Sequence, residues 1–180
     1  MQDQDLAVII LAAGKGTRMK SPLPKVLTPI LGKPALEYVL DAAEKLSPTR
    51  TLVVLGYQAD RIREKFSKRA FEFVLQEEQL GTGHAAYQTE KVLTNFEGNV
   101  LVLCGDMPLI KAETLVRLLH QHKKIAAKCT VLTIKTRMNN DFGRIIRDDK
   151  GLITKIVEFR DASEKEKNVD ECNSGVYCFD

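Results

Sequence analysis

The residues best equipped for chemistry stand in one short stretch, Leu11-Ala12-Ala13-Gly14-Lys15-Gly16-Thr17-Arg18-Met19. Glycines at 14 and 16 let a backbone turn tightly and bring its amide N–H groups up to phosphate oxygens. Lys15, Arg18, Lys20 and Lys25 follow with no acidic residue among them. A compact cationic segment beside glycines suits a small anionic ligand, although charge alone would describe an ordinary solvated loop. Arg18 offers a planar fork for two oxygens, and Lys25 a point charge. The turn is not a P-loop, since no G-x-x-x-x-G-K-[S/T] can be read. Nor is it the dinucleotide fingerprint, because Met19 stands where the third glycine belongs.

Further along, Asp106 follows the apolar run Val100 to Cys104 and Gly105. It is the candidate metal ligand. Mg²⁺ takes one or two carboxylates, keeps waters and takes the rest from substrate phosphates, so one aspartate can suffice. Capping the chain before Pro108 is the other use open to it. Gln76 carries both a donor and an acceptor and can pair with the edge of a base. Gly81 and Gly83 permit a tight turn into a helix that Thr82 could cap and near whose start His84 lies. His120 and His122, beside Lys123-Lys124, lack a third ligand nearby in sequence and are expected at a solvated helix end. Cys104 and Cys129 fall in apolar strands and are expected in the core.

The elements that must position these groups alternate. Leu6 to Leu11 is a continuous apolar run, as in a strand buried on both faces. Pro34 suits the first turn of a helix whose apolar positions are Leu36, Val39, Leu40, Ala43 and Leu46. Strands are expected at 51–55, 71–75, 100–104, 128–134 and 174–179, and helices at 59–66, 83–96 and around Leu115, Leu118 and Leu119. Ile145-Ile146 and Leu152 to Val157 flank 148–151 as a hairpin, with Gly151 placed for a positive φ. Residues 163–171 read as a charged loop or short helix. Alternating β and α elements imply a mostly parallel sheet with helices on both faces. Ligands of such sheets bind beyond the carboxyl ends of the strands. If the strands at 6–11 and 100–104 are neighbours, the Gly14–Arg18 and Gly105-Asp106 turns open on one crevice.

The 180 residues suit one domain, 1–180, with 44% apolar and 28% charged residues in an ordinary globular balance. The longest apolar run, Leu6 to Ala13, is too short to cross a bilayer. The acidic start Met1-Gln2-Asp3-Gln4-Asp5 and the lack of a cleavage site argue against a secretory signal. Four scattered cysteines read as reduced thiols of a cytoplasmic protein. A net charge of +3 is too small to argue for nucleic acid, so neither nucleic acid nor membrane is an expected partner.

The first turn does not stand alone. With Leu23-Pro24-Lys25, Gln76, Leu80-Gly81-Thr82-Gly83-His84-Ala85, Gly105-Asp106-x-Pro108-Leu109, Gly143-Arg144-Ile145, Ile156-Val157-Glu158 and Asn173-Ser174-Gly175-Val176-Tyr177, it resembles the nucleotide-sugar pyrophosphorylase family. Within that family the match narrows to the bacterial N-acetylglucosamine-1-phosphate uridylyltransferases. The blocks run in order, with similar spacing, over nearly the whole chain.

The resemblance implies an α/β fold: a Rossmann-like three-layer sandwich with a mostly parallel sheet, of the nucleotidyltransferase, glycosyltransferase-A-like kind. It implies a Mg²⁺-dependent reaction of UTP with N-acetylglucosamine-1-phosphate, giving UDP-N-acetylglucosamine and pyrophosphate. Arg18 would grip the triphosphate, Lys25 would neutralise the reacting phosphates and Asp106 would hold the metal. Leu11, Ala12, Ala13, Gly14, Gln76, Gly81 and Thr82 would form the uracil pocket, and Gly105, Gly143, Glu158 and Asn173 would face the sugar. A relative with another base or sugar, or a non-catalytic nucleotide-sugar binding module, would share these blocks. The family's domain continues for several elements beyond the point matching Asp180, and in many bacteria an acetyltransferase β-helix follows. The resemblance thus implies a C-terminally truncated domain, with the nucleotide half of the crevice intact and the sugar half incomplete.

Overall fold

The computed structural model describes residues 5–16, 19, 21–137 and 141–180. At its centre is β1 (Asp5–Ala12), whose run of buried residues from Ala7 to Ile10 needs cover on both faces. β4 (Arg50–Leu55) pairs with it on one side and β6 (Gly98–Cys104) on the other, both parallel. β5 (Glu72–Leu75) extends this parallel part beyond β4. A minor hairpin, β2 (Pro29–Ile30) with β3 (Lys33–Pro34), stands apart.

Past β6 the sheet changes character. β10 (Glu171–Phe179) runs antiparallel to β6 and pairs on its other side with β7 (Cys129–Lys135). Near Cys172 it also meets β8 (Arg144–Arg147), and β9 (Ile153–Val157) closes that end. Among the described residues, six of the eight strands of this sheet run one way, and β9 and β10 run the other. The expected hairpin is therefore β8–β9, with Gly151 at φ +80°.

Helices cover both faces. α1 (Ala35–Glu44) buries Ala35, Leu36, Val39, Leu40, Ala42 and Ala43, the stripe its sequence spacing predicts. α2 (Ala59–Lys65) and α4 (Ala112–Lys124) share that face, supplying Ile62, Leu115 and Leu118 to a core with Val8, Ile10, Val53 and Leu101. On the opposite face α3 (Thr82–Tyr87) and residues 88–96 pack Ala85, Val92 and Leu93 against Ile9, Leu52, Val54 and Val102. α5 (Glu164–Lys167) is a single turn fixed by a capping box between Ser163 and Glu166.

Two expectations change. Pro34 is the residue before α1 rather than part of its first turn. The helix expected over 83–96 ends at Tyr87 and continues as tight turns. The buried Thr89 hydroxyl donates to the Ala86 carbonyl at 2.7 Å, and the backbone N–H groups of Thr89, Glu90 and Val92 bond three residues back. A β-branched hydroxyl competing for a helix carbonyl winds the chain tighter there.

Leu36 is fully buried beneath the β1–β6 seam, so Leu36→Ala should cost about 2–5 kcal/mol of unfolding free energy, read from urea midpoints. Glu171 accepts from Arg147 at 2.8 and 2.7 Å, which lowers its carboxyl from the usual 4.5 to about 2. A carboxylate with a depressed folded pKa stabilises the fold above its unfolded value, and that contribution disappears as pH falls toward the folded one. Between pH 4.5 and 2 the stability of Glu171→Gln should fall less steeply than that of the wild type, as measured by denaturation at several pH values.

Candidate functional site

Parallel pairing of β1 and β6 sets Leu11 opposite Cys104, and the Gly105 N–H donates to the Leu11 carbonyl at 2.9 Å. The two polar turns therefore leave the carboxyl ends of adjacent strands side by side. Between them opens a cleft of about 480 Å³. Of the residues singled out from the sequence, Leu11, Ala12, Ala13, Gly14, Lys25, Gln76, Gly81, Thr82 and Asp106 all line it. Gly16, Met19, Val26, Gln79, Ala85 and Cys104 complete the lining.

At the polar end, the Lys25 ammonium forms an ion pair with the Asp106 carboxylate across the cleft. The Asp106 carboxylate thus faces the cleft. Lys25 is positioned by the 3-10 turn Lys25–Leu27, whose Val26 is buried in the core. Gly16, at φ +61°, lies so close that a Cβ there would come within 2.6 Å of the Lys25 Cβ. Only glycine permits both that backbone conformation and that approach. Cys104, between these groups and the core, has its thiol pushed up to about 11 by burial and by the neighbouring Asp106 charge. It is therefore a neutral wall, not a nucleophile.

At the other end lies Gln76, 3% exposed, whose backbone N–H extends the β4–β5 ladder to the Leu55 carbonyl at 2.7 Å. Its amide nitrogen lies 3.2 Å from the Gly81 carbonyl and 3.0 Å from His84 Nδ1. Gly81, at φ +109°, precedes α3, and Thr82 is the first helical residue. Thr82 makes no side-chain cap, so the capping expected of it is not its role.

The residues expected to face a sugar divide. Gly143, Glu158 and Asn173 meet one another but do not line the cleft: the Asn173 N–H donates to the Gly143 carbonyl at 2.8 Å, and a Cβ at Gly143 would lie 3.5 Å from Glu158 Oε1. Arg144 organises them. Its buried guanidinium contacts the Phe142 carbonyl, the Cys172 Sγ at 3.5 Å and the Phe159 ring at 4.8 Å. Each of the three thus sits next in sequence to a partner of one buried cation. Gly105 lies outside the lining as well. A Cβ there would press on the Leu11 carbonyl, Leu36 and Val26 at 3.1–3.3 Å, so close packing of the seam accounts for the glycine. The Cys104 Sγ reaches the Gly175 carbonyl at 3.6 Å and links the cleft wall to the strand carrying Asn173.

Arg18 falls outside the described residues, as do Thr17 and Lys20. Gln79 and Cys104 were missed as lining residues; their signal was position, one in the turn before α3 and one at the end of β6. His122 is not solvated: it is 2% exposed, with Nδ1 2.8 Å from the Thr130 hydroxyl, because the last turn of α4 folds against β7. Burial lowers its pKa. Cys129, expected in the core, is exposed at the start of β7. Among the described residues no cluster of three or more His, Cys, Asp or Glu could hold a metal unaided, and no helix is long and apolar enough to cross a membrane.

The chain is 50% identical over 172 residues to the bifunctional protein GlmU of Bacillus cereus (strain AH187), an alignment covering 96% of this chain and 37% of that protein. It spans little more than a third of the length of such curated relatives. A UDP-glucose pyrophosphorylase solved with UDP-glucose superposes with a TM-score of 0.80 at 20% identity, over 98% of this chain and 76% of that one. HddC from Yersinia pseudotuberculosis, solved with GMP-PN, gives 0.71 at 24% identity over 96% and 76%. These two likenesses establish the fold. The model of the MobA-like NTP transferase domain matches residues 8–166, and with most of its length so matched the chain belongs to that family.

Proposed function

We propose that this chain is a cytoplasmic sugar-1-phosphate uridylyltransferase, joining UTP to N-acetylglucosamine-1-phosphate with release of pyrophosphate. The observation that supports this best is the pairing of β1 with β6, which gathers glycine-rich backbone, Lys25 and Asp106 at one end of a cleft and Gln76 at the other. A nucleotide spans such a cleft with its base at the glutamine and its phosphates at the charged end. The resemblance of the sequence blocks adds the substrate class, and the 50% identity to GlmU supports it.

The reaction forms a bond from a sugar-phosphate oxygen to the α-phosphorus while the bond to the β-phosphate oxygen breaks and pyrophosphate departs. Two polyanions must be held in line, so the work is positioning and charge neutralisation, with no covalent intermediate. In this reading the amides of the 14–16 turn and Arg18 bind the triphosphate. Lys25 moves from Asp106 onto the reacting phosphates. Gly143, Glu158 and Asn173, held around Arg144, present a carboxylate and an amide to sugar hydroxyls, with Gly105 at the near edge.

Asp106 is the only carboxylate among the described lining residues. One hard oxygen ligand, beside space for a triphosphate, fits Mg²⁺, which draws its remaining ligands from phosphates and water. Bound there, Mg²⁺ would neutralise charge on the triphosphate and the leaving pyrophosphate. Asp106 would hold it, beside the Lys25 ammonium with which it pairs.

Pyrophosphate release from UTP should require both N-acetylglucosamine-1-phosphate and Mg²⁺. Asp106→Ala and Lys25→Ala should each lower it by about 10²-fold or more, the scale of removing one electrostatic stabiliser. UTP binding without sugar-dependent release would instead make the chain a nucleotide-binding module.

A further inference from the structure

Gln76 and His84 begin a line of polar contacts that ends at Gln88, one helical turn further along. The Gln76 amide nitrogen is 3.2 Å from the Gly81 carbonyl oxygen and 3.0 Å from His84 Nδ1. His84 Nε2 is in turn 3.0 Å from the Gln88 amide nitrogen, which also lies 3.2 Å from the His84 carbonyl. A neutral imidazole has one N–H and one lone pair in its ring plane, so it cannot accept at both nitrogens. One of the two glutamine amides must therefore turn its oxygen toward the ring.

Burial decides which. Gln76 is 3% exposed. Turned over, its oxygen would face the Gly81 carbonyl oxygen with no proton between them, and a side chain so buried has little room to move off it. Turned over, Gln88 would likewise set its oxygen near the His84 carbonyl oxygen, but it is only half-buried, so its side chain can swing off that carbonyl and water can take up its nitrogen. The Gln76 NH₂ therefore stays inward, His84 Nδ1 accepts, and the proton lies on Nε2, donated to the Gln88 oxygen. Both Gln76 N–H groups are then committed. Its Oε1, which has no partner among the described residues and is not sealed in the protein, is left to serve the cleft that Gln76 lines.

We infer that His84 is a positioning residue which fixes the donor–acceptor sense of Gln76, and through it the base the cleft accepts, with Gln88 holding the His84 tautomer; this rests on the reading that Gln76 meets the base. A carbonyl oxygen aimed at position 3 of a pyrimidine accepts from the N3–H of uracil. Against cytosine it meets a lone pair instead. Reversing the amide reverses that preference.

The sense can be switched from outside the cleft. In Gln88→Lys an ammonium donates to His84 Nε2, the ring proton moves to Nδ1, and the Gln76 amide turns over. In Gln88→Glu a carboxylate requires the proton on Nε2, and the amide stays as it is. Binding of UTP and CTP to the whole chain, measured by calorimetry, should show the UTP preference of the wild type kept in Gln88→Glu. In Gln88→Lys and His84→Phe it should fall by roughly tenfold or more, as when a site's hydrogen-bonding group meets the wrong partner. Spectra of ¹⁵N-histidine-labelled wild type should place the His84 proton on Nε2, a readout that needs no variant to fold. A proton on Nδ1 overturns the inference, as does an unchanged preference in Gln88→Lys and His84→Phe. If Gln76→Ala keeps the full UTP preference, the base does not meet Gln76, and the reading beneath the inference fails first.

Discussion

The hydrogen bond from the Gly105 N–H to the Leu11 carbonyl is the point on which the site turns. It is the last rung of the β1–β6 ladder, and beyond it the two chains diverge into the turns that carry Gly14, Gly16 and Asp106. Everything beneath serves that rung. Leu36 and Val26 press against Gly105 from below, where a single added methyl would meet them and the Leu11 carbonyl at 3.1–3.3 Å. The apolar core thus acts directly on the separation of the polar turns. Because close-packed interiors yield little, the separation of the strand ends from which the two turns leave is inherited from the sheet.

The charges are arranged to match. Lys25 and Asp106 come from segments some eighty residues apart, yet their ionic groups meet across the cleft mouth. Neither is fully buried, so neither bears a heavy desolvation cost and each can exchange its partner for a ligand. Gln76, at the far end, is the reverse case: nearly sealed, with its nitrogen held on two sides. One end of the cleft can rearrange while the other is set in advance. Such a division suits a ligand whose flexible part is charged and whose rigid part must be read.

Much of this was legible in the residues. Leu6 to Leu11 and Val100 to Cys104 could hardly be anything but buried strands, and glycine and polar residues at their ends marked where a crevice had to open. What escaped depended on partners remote in sequence. The shortening of α3 follows from Thr89 finding the Ala86 carbonyl, a choice that apolar periodicity does not record. His122 looked like a solvated charge at a helix end until β7 folded over it and supplied Thr130. The meeting of Gly143, Glu158 and Asn173 depends on Arg144 being buried among three separate segments. No local pattern announces a buried arginine. Their neighbourhood could be expected only from resemblance.

β9 has a wider consequence. It is the outermost strand at its end of the sheet, and Ile153 and Ile156 on it are 41% and 38% exposed. A free strand edge bearing β-branched residues is a template on which a second chain can add itself. Lys155 stands between the two isoleucines, its ammonium paired with Glu166 of the short capped helix α5. A strand docking on this edge would have to displace that pair or lay its backbone against a charge. The small helix thereby helps guard the outer edge of the β8–β9 hairpin against becoming the first rung of an aggregate.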